Sequence, residues 1–182
     1  MQISTPRLLL REFVADDLDA ILHYESDPIV VQYVCYGPST RSECERELKF
    51  HIEQQLADTR TFYHLALELR KTQTMIGWCG IKIVNPQSQE GELGYALNRS
   101  YWGQGYMAEA AKALVTFGFR DLHLHRIVGT CHPDNLASIR ILEKVGMQYE
   151  GCLRQNRWCK GSWRSTNVYA ILEDEWEKII SS

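Results

Sequence analysis

The segment from Gly91 to Phe119 constrains the fold more than any other part of the sequence. It predicts a strand over Glu92–Leu97, a loop that contains Gly103 and Gly105, and a long helix that begins within the letters MAEAAKALV. Two glycines allow the backbone to approach a ligand closely. The start of a helix adds unpaired N–H groups and the positive end of a dipole. We therefore predict an anion site, most often one for phosphate, between this strand and this helix.

Two common phosphate motifs are missing from the sequence. No G-x-x-x-x-G-K-[ST] motif is present, which excludes a P-loop. Ala108 replaces the third glycine of a dinucleotide fingerprint, and the residues around His125 and Arg126 provide no acidic partner for a ribose. A lone G-x-G pair is common in turns, so the phosphate prediction depends on the flanking strand and helix.

Length and composition bound the class of protein. A chain of 182 residues with 45% hydrophobic residues is most simply one domain, spanning residues 1–182. A net charge of −3 and the lack of a basic block argue against a nucleic-acid partner. We expect no membrane partner, because no apolar run approaches the roughly 20 residues needed to cross a bilayer. The N-terminus lacks a signal-peptide pattern, so we expect a cytoplasmic protein.

The cysteines and histidines predict neither a disulfide nor a metal site. The chain has six cysteines without a C-x-x-C pair, and we expect them to be reduced and mostly buried. A metal site deserves consideration at His123, His125, Cys131 and His132, which lie close in sequence. Their spacing matches no standard zinc pattern, so we expect no bound metal.

Hydrophobic periodicity and turn residues outline the secondary structure. Ser42 and Glu45 have the spacing of a capping box, which predicts a helix from there to about Ala57. The pattern indicates a mainly antiparallel sheet with helices on it and at least one strand–helix–strand crossover. Strands are predicted for TPRLLLREF, residues 63–69, MIGWCGIKIV, residues 92–97, 126–131, 147–155 and 165–172. Further helices are predicted for residues 16–24, 136–145 and the DEWEKII tail.

Several motifs in this order resemble those of the Gcn5-related N-acetyltransferases (the GNAT family). The resemblance is strongest to the branch with the ribosomal-protein alanine and serine N-acetyltransferases. It implies an α/β (α+β) single-domain fold, with a mixed, mostly antiparallel sheet of about seven strands and helices on both faces. It also implies a central strand pair that splays where an acyl-CoA thioester enters. The motifs are TPRLLLREF, IGWCGI, ELGYAL, YWGQGYMAEA, HPDNLASIRILEKVGM, YEGCLRQNRW and VYAILEDEW.

The resemblance implies acetyl-CoA as cosubstrate. The family's loop pattern, Q/R-x-x-G-x-G/A, aligns with Trp102–Met107, and only Gly105 matches it strictly. In the family, backbone amides of this loop hold the pyrophosphate, and the preceding strand pairs with the pantetheine arm. Asn135 matches an asparagine that binds this arm, although an N-cap role alone is the alternative. The coenzyme residues so implied are Ala96, Leu97, Trp102, Gly103, Gln104, Gly105, Tyr106, Met107, Ala108 and Asn135.

Attack of an amine on a thioester needs a base, stabilisation of the oxyanion and an acid for the thiolate. Many family members place a tyrosine acid where this chain has Leu142. The branch resemblance assigns that task to Ser138, and the alternative is a serine that bonds only to the helix backbone. Glu150 and Glu92 compete as the base. The resemblance favours Glu150, and either carboxylate is alternatively a solvated charge at a strand end.

The leading hypothesis is an acetyl-CoA-dependent N-acetyltransferase that acts on a primary amine. The amine is a protein N-terminus or a small molecule such as a polyamine, amino acid or drug. A non-catalytic acyl-CoA sensor and a nucleotide-binding regulator are the alternatives, and a homodimer is possible. The resemblance assigns acceptor selection to Tyr33–Glu47 and Gln155–Arg164. Candidates for the pocket wall are Tyr95, Trp102 and Trp158, although large aromatic residues are more often part of a core.

Overall fold

A computed structural model describes residues 1–181, which form eight strands and five α-helices. The strands are β1 (Gln2–Ser4), β2 (Leu8–Arg11), β3 (Phe62–Leu69), β4 (Thr74–Asn85), β5 (Glu90–Leu97), β6 (Arg126–Cys131), β7 (Gln148–Cys159) and β8 (Ser162–Leu172). The helices are α1 (Leu18–Glu25), α2 (Arg41–Gln55), α3 (Tyr106–Arg120), α4 (Leu136–Lys144) and α5 (Glu173–Ile180). Within the described residues, no helix is both long and apolar enough to span a bilayer.

All strands belong to one sheet with the order β1-β2-β3-β4-β5-β6-β8-β7. Neighbouring strands are antiparallel except β5 and β6, which are parallel and are joined by the crossover helix α3. This confirms the predicted mainly antiparallel sheet with one crossover. The sheet has eight strands instead of about seven, because residues before the TPRLLLREF segment form β1. A tight turn, closed by a hydrogen bond from the Thr5 N–H to the Leu8 carbonyl, joins β1 to β2.

The helix α2 begins two residues earlier than the sequence predicts. Thr40 is its N-cap, and the side chain of Glu43 accepts a hydrogen bond of 2.7 Å from the Thr40 backbone N–H. The predicted pair, Ser42 and Glu45, has the same spacing, so the local pattern fits both frames. The helix ends at Gln55, which is two residues before the predicted end.

The sheet buries apolar side chains on both faces. Leu65 and Leu67 of β3 belong to a core that packs under α3, α4 and α5. Ala66, which lies between them, belongs to a second core that packs under α1 and α2. Side chains alternate between the faces of a strand, so one strand supplies both cores. The predicted placement of helices on both faces is therefore confirmed.

The parallel strands β5 and β6 separate partway along their length. Their pairing runs from Glu90 with Arg126 to Leu93 with Gly129 and stops there. The rest of β5 stays paired with β4, and the end of β6 stays paired with β8. The sheet therefore opens between the two strands at their carboxyl ends, as predicted. The loops that lead to α3 and α4 both begin at this opening.

Glu25, the last residue of α1, is a buried carboxyl group. Its exposed fraction is 1%, and neither of its carboxyl oxygens makes a hydrogen bond of standard geometry with residues 1–181. Burial and the negative charge of Glu47 raise the pKa of Glu25 to about 7, although the nearby Tyr36 hydroxyl lowers it. The folded protein therefore holds this proton more tightly than the unfolded chain does. The resulting stability is present at low pH and is lost as the pH rises through about 7.

We predict that Glu25→Gln matches the wild-type stability at pH 4, below the unfolded pKa, and exceeds it at pH 8, because glutamine mimics the protonated acid. A pKa raised from 4.5 to about 7 corresponds to roughly 3 kcal/mol at full ionisation. Denaturant unfolding at both pH values measures the difference. Burial lowers the pKa of His64 to about 3, so the contribution of His64 to stability rises with pH. This contribution is the same in wild type and in Glu25→Gln, and it cancels in the comparison.

The control for this prediction is Glu53→Gln, which removes a largely exposed carboxylate from α2. Its effect on the free energy of unfolding should be small and equal at the two pH values. Equal stability of Glu25→Gln and wild type at pH 8 would contradict the prediction.

Candidate active site

The loop before α3 presents free backbone amides beside the opening. Gly105 is the N-cap of α3 in the left-handed conformation, with φ +80°, and it provides no side-chain cap. The first N–H groups of the helix therefore lack the hydrogen bonds that a serine or aspartate cap would make. Gly103 also has a positive φ, +73°, and a Cβ at this position would have no neighbour within 4 Å. The loop thus has the open, donor-rich geometry that an anion needs.

Two side chains of this loop brace it and leave its amides free. The indole N–H of Trp102 donates to the Leu97 carbonyl at 2.8 Å, which ties the loop to the end of β5. The side-chain amide of Gln104 donates to the Ser100 carbonyl at 3.2 Å. Trp102 therefore serves the loop itself, and the hypothesis that it lines an acceptor pocket gains no support from its contacts.

Arg7 is a candidate functional residue that the sequence patterns do not identify. Its Nη1 donates to the Gln104 carbonyl at 2.9 Å, and its guanidinium lies 4.4 Å from the centroid of the Tyr106 ring. Its Nη2 lies 3.5 Å from the position that a Cβ on Gly105 would take. A fixed cation at the start of a helix strengthens the attraction of an anion. No local signal reveals this role, because Arg7 lies 97 residues from Gln104 in the chain.

Glu109, in the first turn of α3, holds Arg7 in place. Its carboxylate accepts hydrogen bonds from the Arg7 Nε at 2.6 Å and from the Thr5 hydroxyl at 2.6 Å. Burial by itself raises the pKa of Glu109, but the hydrogen bonds from Thr5 and Arg7 outweigh it and lower the pKa. The carboxylate therefore stays ionised at neutral pH and keeps the guanidinium next to the loop.

Ser138 and Tyr95 meet on the side of the sheet that carries α3 and α4. Ser138 lies in the first turn of α4 with an exposed fraction of 7%. Its Oγ is 2.8 Å from the hydroxyl of Tyr95, which projects from the part of β5 that no longer pairs with β6. Burial raises the pKa of Tyr95 well above its usual value, and the hydrogen bond with Ser138 offsets only part of this. The pair therefore provides two protonated hydroxyl groups beside the opening.

Asn135 has the N-cap role that is the alternative to coenzyme binding. It is the N-cap of α4, and its Oδ1 accepts the Ser138 N–H at 3.1 Å. Its side-chain nitrogen has no hydrogen bond to any residue in the described range 1–181. The cap therefore leaves that nitrogen free to donate to a ligand. Leu142, at the position of the usual tyrosine, is 1% exposed and belongs to the core.

Glu92 and Glu150 lie in different electrostatic environments. Glu150 forms a bidentate ion pair with Arg126, in which the distance from Arg126 Nη1 to Glu150 Oε1 is 2.6 Å. Its hydrogen bonds to Arg126 outweigh burial and lower the pKa of Glu150. Glu92 instead accepts a hydrogen bond of 3.3 Å from the hydroxyl of Thr130 on β6. This contact spans the two strands at the point where their pairing ends.

The two carboxylates lie on the face opposite to Ser138. Leu93 and Ile127 point into the core under α3, so their strand neighbours Glu92 and Arg126 point to the other face. Glu150 reaches Arg126 on that same face. A group placed in the opening between β5 and β6 therefore has hydroxyl donors on one side and carboxylates on the other.

A cavity of about 310 Å³ lies beyond the carboxyl end of β6. It is bounded by the loop between α1 and α2, the loop before α4, and the hairpin of β7 and β8. The two segments expected to select the acceptor therefore meet here. The ring of Tyr33 stacks on His132 with a centroid distance of 5.3 Å. The lining residues are Gln32, Tyr33, His132, Asp134, Ser162, Trp163 and Arg164.

A larger cavity, of about 480 Å³, lies between the ends of α3 and α5. It includes Phe119 and Arg120 at the carboxyl end of α3, whereas the glycine loop precedes the opposite end. The helix has 15 residues and is about 22 Å long, so this cavity is remote from the opening.

The expectation of six reduced cysteines is wrong for two of them. Cys35 and Cys159 form a disulfide that joins the loop between α1 and α2 to the hairpin of β7 and β8. Lys160 and Arg164 add hydrogen bonds from the hairpin to backbone carbonyls of the same loop. Spacing does not reveal this pair, because the two cysteines are 124 residues apart. The free cysteines are Cys44, Cys79 and Cys131, which are buried, and Cys152, which is exposed.

The four residues considered as metal ligands lie at the two ends of β6. His123 and His125 precede the strand, whereas Cys131 and His132 lie at its other end, roughly 15–20 Å away along the strand. Within residues 1–181, no group of three or more His, Cys, Asp or Glu side chains is arranged to hold a metal.

Comparisons with known proteins agree with this architecture. The sequence model of the acetyltransferase (GNAT) domain matches residues 7–148. The uncharacterized N-acetyltransferase YnaD of Bacillus subtilis (strain 168) is 34% identical over 97% of this chain and 99% of its own. The ribosomal-protein-serine acetyltransferase of Escherichia coli (strain K12) is 31% identical over 57% of this chain and 58% of its own. The crystal structure of a GNAT-family acetyltransferase from Bacillus anthracis superimposes with a TM-score of 0.87 at 30% identity, covering 96% and 99% of the two chains.

We predict that Gly105→Val weakens coenzyme A binding by roughly tenfold or more, or by about 1.4 kcal/mol. The branched side chain would occupy the space in front of the free amides of α3 and would contact Arg7. Titration calorimetry with coenzyme A measures the affinity.

The matched control is Gly161→Val in the turn between β7 and β8. Gly161 has φ +77°, so valine there suffers the same backbone strain without approaching the glycine loop. The control protein should keep the wild-type affinity. If folded Gly105→Val binds coenzyme A as tightly as the control does, the loop does not hold the pyrophosphate.

Proposed function

Because the chain belongs to the GNAT family of acetyltransferases, we propose that it moves the acetyl group of acetyl-CoA onto a primary amine at the opening between β5 and β6. The observation that carries this proposal is the juxtaposition of that opening with the uncapped start of α3. The hydroxyl groups and carboxylates at the opening support catalysis over the alternative of a non-catalytic acyl-CoA sensor.

The residues around the opening fit the coenzyme. Backbone amides from Gly103 to Ala108 are free to bind the pyrophosphate, and Arg7 adds a positive charge beside them. On the edge of β5 that faces the opening, the Leu97 N–H is oriented for a backbone hydrogen bond to the pantetheine arm. The Leu97 carbonyl already accepts the Trp102 indole N–H. Ala96 is the weaker candidate, because it pairs with Trp78 in the same phase as Asn98 with Ile76, which directs its backbone groups to β4. Bound here, acetyl-CoA supplies the acetyl group as an activated thioester.

We assign the role of the acid to Ser138. Its Oγ–H lies at the start of α4, on the coenzyme side of the sheet, where it donates a proton to the departing thiolate. Tyr95 positions this hydroxyl through their 2.8 Å hydrogen bond. The raised pKa of Tyr95 keeps the phenol protonated, so it stabilises the negative charge that develops on the serine oxygen. Leu142 of α4 occupies the position of the family's usual tyrosine, and Tyr95 of β5 brings a phenol to the same helix.

We assign the role of the base to Glu92, with Glu150 as the alternative that the resemblance favours. Glu92 lies where the strands part, and its partner is a neutral hydroxyl. A carboxylate there removes a proton from the attacking amine, directly or through a water molecule. Glu150 is held by Arg126, and its lowered pKa makes it the weaker proton acceptor.

We propose a protein N-terminal amine as the acceptor. The support comes from the E. coli relative, whose name gives a ribosomal protein as its substrate. The cavity bounded by Tyr33, His132 and Asp134 lies at the end of β6 and provides polar groups for the first residues of such a chain. A small amine remains the second candidate.

We predict that Ser138→Ala lowers the maximal rate by about 10²–10⁴-fold, the usual worth of a well-placed general acid. The affinity for acetyl-CoA should stay nearly unchanged, because the serine acts on the departing thiolate. Release of free thiol, measured with saturating amine, gives the rate.

Tyr95→Phe is the comparison variant, because it removes one oxygen and keeps the ring. It should lower the rate less than Ser138→Ala does, and the double variant should be no slower than Ser138→Ala. A Ser138→Ala rate within about threefold of wild type falls far short of the range for an acid and would remove Ser138 from this role.

We predict that Glu92→Gln lowers the rate most near neutral pH and progressively less at high pH. At high pH more of the amine is already deprotonated, so the base contributes less. Glu150→Gln is assayed over the same pH range and should have the smaller effect.

A larger loss for Glu150→Gln, with the same pH trend, would transfer the role to Glu150. Rates within about threefold of wild type for both variants would show that solvent moves the proton. The site would then act by holding the amine and the thioester together.

A further inference from the structure

The hairpin of β7 and β8 carries a concentration of positive charge that the catalytic site does not use. Residues 151–172 contain four basic residues and no aspartate or glutamate, in a chain whose net charge is −3. We call residues 153–164 the cationic hairpin. Its basic residues are Arg154, Arg157, Lys160 and Arg164.

No carboxylate among residues 1–181 pairs with the positive charges of the cationic hairpin. Lys160 and Arg164 donate to the backbone carbonyls of Val31 and Gln32, which carry no net charge. Arg154 and Arg157 make no hydrogen bond or ion pair with any residue from 1 to 181. Burial and the positive charge of Arg164 lower the pKa of Lys160. The hairpin therefore gains from a negatively charged partner.

Two large aromatic side chains are exposed on the same hairpin. Trp158 and Trp163 are 62% and 59% exposed, and they face each other across the two strands with ring centroids 5.4 Å apart. Leu153, farther along β7, is 53% exposed. Exposed aromatic residues beside arginines are typical of the centres of protein interfaces.

The strand β7 has a free edge, which favours an extended polypeptide as the partner. Among residues 1–181 it is the last strand of the sheet and pairs with β8 alone, with a register shift between Leu153 and Arg157. A free edge pairs with an added strand through backbone hydrogen bonds, a contact that a nucleic acid does not make. The net charge of −3 also disfavours a nucleic acid.

The cationic hairpin is continuous with the proposed acceptor cavity. Trp163 and Arg164 line that cavity together with Tyr33 and His132. The disulfide between Cys35 and Cys159 fixes the hairpin to the loop that forms another wall. A chain bound along the hairpin is thus adjacent to the place where an amine enters.

We propose that the cationic hairpin docks an acidic segment of the protein whose N-terminal amine is acetylated. The carboxylates of that segment pair with Arg154 and Arg157, its backbone lies along the edge of β7, and its apolar side chains pack on Trp158. This inference rests on the proposed function and narrows the acceptor to an acidic protein.

Two labelled peptides of equal length test the proposal. They share their first residues and differ downstream, where one has glutamates and the other has glutamines. Binding is measured by fluorescence polarisation without acetyl-CoA, so that docking is observed apart from catalysis. We expect the acidic peptide to bind roughly tenfold more tightly at low salt. The difference should shrink in about 0.5 M salt, because exposed charges are then screened.

The double variant Arg154→Gln/Arg157→Gln should lose most of this preference. The matched control is Lys71→Gln/Lys144→Gln, which removes the same charge from exposed positions on the β3–β4 turn and α4. The control should bind like wild type. Equal binding of the two peptides, or an equal loss in the control, would overturn the proposal. Tighter binding of a single-stranded RNA oligonucleotide than of the acidic peptide would also overturn it.

A second assay separates this proposal from the proposed function. A tripeptide with the shared N-terminal residues lacks the acidic segment that we propose to pair with Arg154 and Arg157. Wild type and the Arg154→Gln/Arg157→Gln variant should therefore acetylate it at the same rate. If wild type acetylates the tripeptide but shows no binding preference for the acidic peptide, the docking proposal alone is rejected. If wild type acetylates no peptide, the proposal of a protein acceptor is contradicted.

Discussion

The end of the pairing between β5 and β6 is the constraint on which the candidate site depends. Beyond Leu93 and Gly129 each strand keeps only its outer neighbour, so the inner edge of β5 has free backbone groups. The crossover through α3 makes the two strands parallel, which brings the loops after both strands to the same end. Those loops place the uncapped start of α3 and the capped start of α4 on either side of one gap.

The local parts of this arrangement could be predicted from the sequence, because their signals lie within a few residues. The strand Arg126–Cys131 has the predicted limits, and the glycine loop lies between a strand and a helix as expected. The two glycines adopt the left-handed conformation for which glycine is suited. The sequence prediction puts the capping box of α2 two residues too late, since two overlapping segments satisfy the same rule.

The long-range contacts could not be predicted, since nothing local reports them. Arg7 meets Glu109 across 102 residues, and Cys35 meets Cys159 across 124. Ser138 was predicted as a site residue, but its partner Tyr95 lies 43 residues away on a strand and was considered only for a pocket wall. Such contacts follow from the order of the strands in the sheet, which hydrophobic periodicity does not specify.

Arg126 explains how the sheet opens at one end without separating at the other. It stands at the first residue of β6 and binds Glu90 of β5 on one side and Glu150 of β7 on the other. These contacts join three strands at the closed end of the parallel pair. A carboxylate in such a pair is ionised but accepts a proton reluctantly, since protonation breaks its bond to the guanidinium. Glu92 lies two residues after Glu90, at the open end, and its partner there is the neutral hydroxyl of Thr130. The glutamates on this face therefore divide into Glu90 and Glu150, which join the strands through Arg126, and Glu92, which we propose as the base.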